Sequence, residues 1–219
     1  TIDYSDRTFS DATFYNASFV INGQRVNSSY SISLGATRVE REALAINEDE
    51  GFSGYVGSIN WELDLSTRSQ LKTRLSSVIT DTSSVAYSDI GDTGDVQLSA
   101  DTIRNSGARV AYLRKDEALF SNIWAAYNKL DYDVTPNDRT IKSYGVKLDY
   151  PVTQLLSGGV YVNYNRVTEL DSSREDKNFA FGSNISYRMT AKLHSTFDIR
   201  YRTKESTDSL QNYDEFTVF

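Results

Sequence analysis

Apolar and polar residues alternate one for one along most of this chain. From Ser195 to Arg202 the sequence reads STFDIRYR, with Phe197, Ile199 and Tyr201 on one side and Thr196, Asp198, Arg200 and Arg202 on the other. A period of two is that of a β-strand, whose successive side chains point to opposite faces, so the stretch predicts a strand with one apolar and one polar face. The same pattern sets Tyr15, Phe19 and Ile21 against Asn16 and Ser18, and Tyr55, Ile59, Trp61, Leu63 and Leu65 against Ser58, Asn60, Glu62 and Asp64. It sets Tyr144, Val146, Leu148 and Tyr150 against Ser143, Gly145, Lys147 and Asp149, and Val160, Val162 and Tyr164 against Tyr161, Asn163 and Asn165. Phe179, Phe181, Ile185, Tyr187 and Met189 likewise oppose Asn184, Ser186 and Arg188. Helical spacing fits none of these segments. The chain is expected to be all-β, with about ten full strands and a partial strand at each end, Thr1–Ser5 and Phe216–Phe219.

The connections between these strands fall into two classes. Tyr150 to Leu156 and Tyr187 to Leu193 share a Tyr-x-x-Thr-x-x-Leu frame 37 residues apart, and Leu65–Leu71 and Leu113–Leu119 look like weaker copies. Asn22-Gly23, within Ile21–Gln24, has the composition of a tight hairpin turn. These short connections alternate with five longer windows at roughly 38–52, 80–101, 131–139, 168–177 and 203–215, which hold 21 of the 30 Asp and Glu residues. They predict either ordinary solvated loops or one acidic rim. No domain boundary is visible; the stretch 80–101 reads as an insertion in one loop, and residues 1–219 as a single domain.

Alternation alone does not say which face meets water. In a soluble sandwich two apolar faces meet each other; in a transmembrane barrel the apolar face meets lipid and the polar face lines the lumen. Three features favour the barrel. Short and long connections alternate, as periplasmic turns and extracellular loops do. Tyr150, Tyr187, Trp61 and Tyr201 lie where an aromatic girdle would meet the lipid interface. The strands are about 10–14 residues long, beyond the usual ~5–6 of a sandwich. A closed barrel also satisfies every backbone hydrogen bond without water.

Composition narrows the function. The 219 residues carry a net charge of −7, no cysteine and one histidine. Disulfides, thiolate chemistry and Cys-ligated metals are excluded, and the acidic balance argues against nucleic-acid binding. The 15 Tyr and 10 Phe are many beside a single Met. His194, beside Leu193 in a short connection, has no nucleophile or carboxylate marked out as its partner, and the carboxylate pairs Glu62/Asp64 and Asp131/Asp133 are two-apart residues of strands rather than an acid–base couple. Asp89, Asp92 and Asp95 offer oxygen ligands to Ca²⁺ but lack an EF-hand frame, so a plain loop is preferred. No catalytic residue, cofactor or metal site is predicted.

The hairpins LDYPVTQLLSGGVYVNY (148–164) and ISYRMTAKLHSTFDIRYR (185–202) resemble those of Gram-negative outer-membrane β-barrels, in detail the β-barrel porin 2 type associated with exopolysaccharide gene clusters. The resemblance covers nearly the whole chain through composition rather than a specific motif. It implies an antiparallel up-and-down barrel in the bacterial outer membrane, in contact with lipid and lipopolysaccharide, that passes or exports hydrophilic solutes, polysaccharide among them. The count of strands implies an incomplete portion of a larger barrel, completed by further residues or by a partner chain. Under this reading Lys72, Arg74, Lys147, Arg188, Arg200 and Arg202 line the lumen together with Glu62, Asp64, Asp149 and Asp198. Arg109 is expected to join them, although the parity of ARVAYLR (108–114) is ambiguous. These charges either neutralise one another across strands or make a slightly basic pore for hydrophilic or anionic solutes. A structural barrel with a filled lumen, whose acidic loops bind a partner or divalent cations, and a soluble all-β binding protein are the competing readings.

Overall fold

The computed structural model describes residues 12–41, 52–81, 102–133, 137–172, 174–190 and 193–218. Ten long strands and one short one follow each other: β1 (Ala12–Arg25), β2 (Ser28–Arg41), β3 (Phe52–Ser66), β4 (Ser69–Asp81), β5 (Thr102–Lys115), β6 (Phe120–Tyr132), β7 (Arg139–Pro151), β8 (Leu156–Glu169), β9 (Glu175–Arg188), β10 (His194–Ser206) and β11 (Tyr213–Val218). All pair antiparallel in one eleven-stranded sheet whose spatial order is the chain order. This is the up-and-down architecture expected from the alternation. The C-terminal partial strand reaches back to Tyr213; Thr1–Ser5, Phe219 and the Asp89–Asp95 cluster lie outside the described residues.

The short connections have a common chemistry. Thr153 and Thr190 each accept a hydrogen bond at Oγ1 from the N–H of the leucine three residues on, Leu156 and Leu193, both at 3.0 Å. The N–H of each threonine returns a bond to that leucine's carbonyl, at 2.9 and 3.1 Å. The Thr-x-x-Leu part of the repeated frame is thus a side-chain-closed turn. Asp116, between β5 and β6, is held below the usual carboxylate range by Arg114, whose guanidinium bonds both its oxygens at 2.8 and 3.2 Å. The expected turn at Asn22-Gly23 is a correction. Those residues pair with Ser31 and Tyr30 inside the β1–β2 ladder, and the two-residue turn is Val26-Asn27. Gly23 is needed for another reason: the Tyr30 ring occupies the space its Cβ would take. The long windows are also narrower than expected. Asp131, Glu169, Glu175, Asp176, Glu205, Asp214 and Glu215 belong to strands, and of the 203–215 window the connection keeps a single 3-10 turn, Ser209–Gln211.

The exposed face is the apolar one. Phe19, Leu34, Tyr55, Ile59, Val110, Ile123, Tyr144, Phe181, Ile185, Phe197 and Phe216 are all exposed, as are Trp61, Tyr150, Tyr187 and Tyr201, the four residues expected in a girdle. Cross-strand register joins them into rows. One runs Arg25, Ser28, Leu63, Leu71, Tyr112, Ile123, Val146, Val162, Phe181, Tyr201, Phe216 across all eleven strands. Another, nearer the long connections, runs Ile21, Ile32, Ile59, Leu75, Ala108, Tyr127, Lys142, Arg166, Lys177, Glu205. The first row is polar only at its β1–β2 end and the second only at its β7–β10 end. A row perpendicular to tilted strands climbs through an apolar belt of fixed height, which is the stagger a barrel wall requires.

Candidate functional site: the polar face

The opposite face is polar because the residues alternating with the belt are Ser, Asn and charged side chains. Its central row is unbroken across the sheet: Gln24, Ser29, Glu62, Lys72, Ala111, Trp124, Gly145, Asn163, Ala180, Arg202 and Glu215. The neighbouring row carries Asn60, Arg74, Arg109, Ala126, Ser143, Asn165, Asn178 and Lys204. The register therefore places Lys72, Arg74, Lys147, Arg188, Arg200, Arg202, Glu62, Asp64, Asp149 and Asp198 on one face. It also assigns Arg109 to that face, directly opposite Arg74.

Several of these charges are paired. Lys72 Nζ lies 3.0 Å from Glu62 Oε1 on the adjacent strand, and Lys147 Nζ lies 3.1 Å from Asp149 Oδ2. Gln70 donates to Asp64 at 3.0 Å and to Glu62 at 3.4 Å. Arg200 sits 4.0 Å from Asp198 and donates from Nε to the Tyr161 hydroxyl at 2.8 Å, while Arg202 lies 3.9 Å from Glu215. Arg109 instead stacks its guanidinium 4.5 Å from the Trp124 ring centroid, a cation–π contact. Arg188, exposed at the end of β9 and paired in register with His194, stands apart from the rest.

Two aromatic tiles shape this face. Trp124 lies over Gly145 and Tyr161 lies over Gly182, each ring filling the site of the glycine's missing Cβ. The two tiles are 37 residues apart, the spacing of the turn frame. Tyr127 and Tyr164, Asn128 and Asn165, and Lys129 and Arg166 repeat at the same interval. The hairpins β6–β7 and β8–β9 are therefore structural copies, with the glycine conserved between them so that an aromatic ring can lie flat. Beside Tyr161 is a cleft of about 330 Å³ bordered by Asn163, Asn165, Asn178, Arg200 and Arg202. Both carboxamide atoms of Asn178 are buried there without a protein hydrogen bond.

Towards the long connections the same face changes character. Val39, 1% exposed, packs with Ile79, Phe14, Phe52 and Val56, and Ile103 and Leu130, also 1% exposed, pack with Ile141, Tyr132 and Val167. Parity would put Ile79 on the exposed face with Leu75. However, the β3–β4 ladder ends at Gly57 and Ser77, and beyond it Ile79 and Arg104 reach over Gly54. Nearby, Asp176 is buried and receives Arg174 at 2.7 Å, Lys204 at 3.3 Å and the Ser206 hydroxyl at 2.5 Å. Gln211, from the 3-10 turn, accepts from Lys204 at 3.1 Å and from Arg174. None of these groups was anticipated from the sequence. The visible signal is a set of apolar residues on the polar parity near the strand ends: Val39 with Ser33 and Thr37, Phe14 with Asn16 and Ser18, Val56 with Ser58 and Asn60, and Val167 with Asn163 and Asn165. Among the described residues no three His, Asp or Glu side chains converge as metal ligands.

No protein-family model and no curated protein matches the chain. Among solved structures, OmpT, an outer membrane protein of Vibrio cholerae folded in vitro, is similar over 99% of this chain and 94% of its own, at TM-score 0.51 and 8% identity. A FadL homologue of Pseudomonas aeruginosa overlaps 92% of this chain at TM-score 0.47 and 10% identity, and this chain spans 62% of its length. The likeness to OmpT shows the fold, an antiparallel up-and-down β wall of the kind found in outer-membrane barrels.

Proposed function

We propose that the chain forms the wall of a water-filled passage in the bacterial outer membrane and admits or exports hydrophilic solutes, polysaccharide among them. The observation that carries this reading is the inversion of the two faces: aromatic and aliphatic rows exposed outward, and behind them a continuous row in which Gln24, Ser29, Glu62, Lys72, Asn163, Arg202 and Glu215 are polar or charged. An exposed apolar face extending over eleven strands suits lipid and not water. The polar face offers what a hydroxylated solute uses, flat aromatic rings beside Asn and Arg, and the unsatisfied Asn178 carboxamide is a group that water or a sugar hydroxyl would complete. The likeness of the hairpins to the exopolysaccharide-associated porin type points the same way. The reading gives the chain no catalytic step. Closure of the wall, through β1 and β11 or through partner strands, is part of the proposal.

A second reading, a structural barrel with an occluded lumen, is favoured by the Asp176–Arg174–Lys204–Gln211 network and the two apolar clusters, which crowd one end of the polar face. Reconstitution into planar bilayers separates them. Stepwise, ion-selective conductance is expected of the passage, and silence at high protein density assigns the chain to the structural alternative.

A further inference from the structure

We propose that the exposed face of β6–β9 holds a phosphorylated glycolipid of the outer leaflet, its phosphate on Lys142, Arg166 and Lys177 and an acyl chain in the groove beneath. This rests on the outward placement of the apolar face. Lys142, Arg166 and Lys177 are directly opposite one another on three neighbouring strands. Like charges in that position repel and destabilise the sheet unless an anion lies between them. The protein supplies only part of one. Glu175 takes Arg166 and lies 3.6 Å from Lys177, Asp131 takes Lys129 at 2.6 Å, and Glu205 is opposite Lys177 in register. Lys142 is exposed and has no ion pair among the described residues.

The layers next to these cations identify the missing anion. On the same four strands and the same face, the adjacent row is Ala125, Tyr144, Tyr164 and Phe179, and the next is Ile123, Val146, Val162 and Phe181. Basic, aromatic and aliphatic rows in that order follow the section of a membrane interface from headgroup to hydrocarbon. Ala125 leaves a dent in the middle row. It opens into an apolar groove of about 460 Å³ between Val110, Ile123, Tyr144 and Tyr164, with Tyr144 and Tyr164 stacked at 6.4 Å along its rim. A free phosphate would use the cations and leave the groove empty; a neutral lipid would do the reverse. A phosphorylated lipid uses both, and multiple phosphates on a sugar headgroup match a row of three bases.

The full chain, purified in detergent and folded, is incubated with bisphosphorylated lipid A, and bound copies are counted by native mass spectrometry. The wild type is expected to retain lipid A, and dephosphorylated lipid A at least tenfold more weakly. Lys142→Gln/Arg166→Gln/Lys177→Gln is expected to lose at least tenfold in retention. Ala125→Trp, which fills the groove and leaves the cations, is expected to lose a similar factor. If the triple variant does not fold, Lys142→Gln alone, which breaks no ion pair, is expected to lose at least threefold. Retention of lipid A by the folded variants at the wild-type level overturns the site, as does complete displacement of lipid A from the wild type by millimolar inorganic phosphate. A detergent-dependent chain that fails these tests refutes this site alone; a chain that stays in solution without detergent refutes the lipid-facing reading beneath it.

Discussion

The two faces of the sheet are built from the same strands by opposite rules. On the outward face neighbouring side chains need only be apolar. Ile123, Val146, Val162 and Phe181 stand side by side in register, and on the lipid-facing reading a fluid hydrocarbon fills whatever space they leave. On the polar face contacts are specific: a lysine against a glutamate, an arginine on a tryptophan, a ring over a glycine. The outward face should therefore be sensitive to polarity and tolerant of shape, and the polar face the reverse. Each expected outcome below attacks one side of that contrast.

The largest effect is expected from charge on the outward face. Ile199 lies between Phe197 and Tyr201 in the belt, and Ile199→Arg should cost ~2–4 kcal/mol of folding free energy in lipid, the value for arginine near a bilayer midplane. Thr196, on the polar face with its hydroxyl 2.8 Å from that of Ser186, should accept arginine within roughly 1 kcal/mol. Reversible unfolding in lipid vesicles measures both. Equal costs would erase the distinction between the faces.

Shape on the polar face comes next. Gly182 lies under the Tyr161 ring, so Gly182→Val must displace it, and overpacking of this kind costs about 1–3 kcal/mol. The neighbouring Ser183→Val, on the belt side, should be near neutral or stabilising. Because the cost is a clash with one ring, Tyr161→Ala should remove most of it. A double-mutant cycle with additive terms would show that the ring and the glycine do not act together.

The alternation was legible because it is local and repeated. Phe197, Ile199 and Tyr201 against Asp198, Arg200 and Arg202 give the face of β10 without any knowledge of its neighbours, and Arg109 lacked only a partner strand to settle its parity. Features that depend on a neighbour were not legible. Asn22-Gly23 has turn composition, yet Gly23 sits mid-ladder because Tyr30 lies across it. Charged residues such as Lys177 and Glu205 have loop composition, yet they lie in strands that climb out of the belt before they end. The burial of Ile79 follows from the parting of β3 and β4, and that of Asp176 from Arg174, Lys204 and Gln211 converging from different strands and a turn. A period of two carries no trace of either.

The smallest effect on folding, and the most direct on function, belongs to Arg74 and Arg109. They are directly opposite each other on β4 and β5, and among the described residues neither has an acidic partner, whereas Lys72 and Lys147 are neutralised by Glu62 and Asp149. Unpaired cations set the potential of a passage; a paired lysine and carboxylate largely cancel beyond a few ångströms. Exposed acids on distant connections act weakly, since charges separated by more than a Debye length, ~8 Å at physiological salt, are largely screened. Low-dielectric walls strengthen the cations that line the passage itself. Arg74→Gln/Arg109→Gln relieves the opposed like charges and gives up the Arg109–Trp124 contact, two effects of opposite sign, so folding should shift by less than about 1 kcal/mol, and the anion-to-cation permeability ratio read from reversal potentials should fall. Glu62→Gln/Lys72→Gln, which removes a neutral pair, should move that ratio far less. A ratio that responds to the pair and not to the two arginines would place the selective charge elsewhere on the wall.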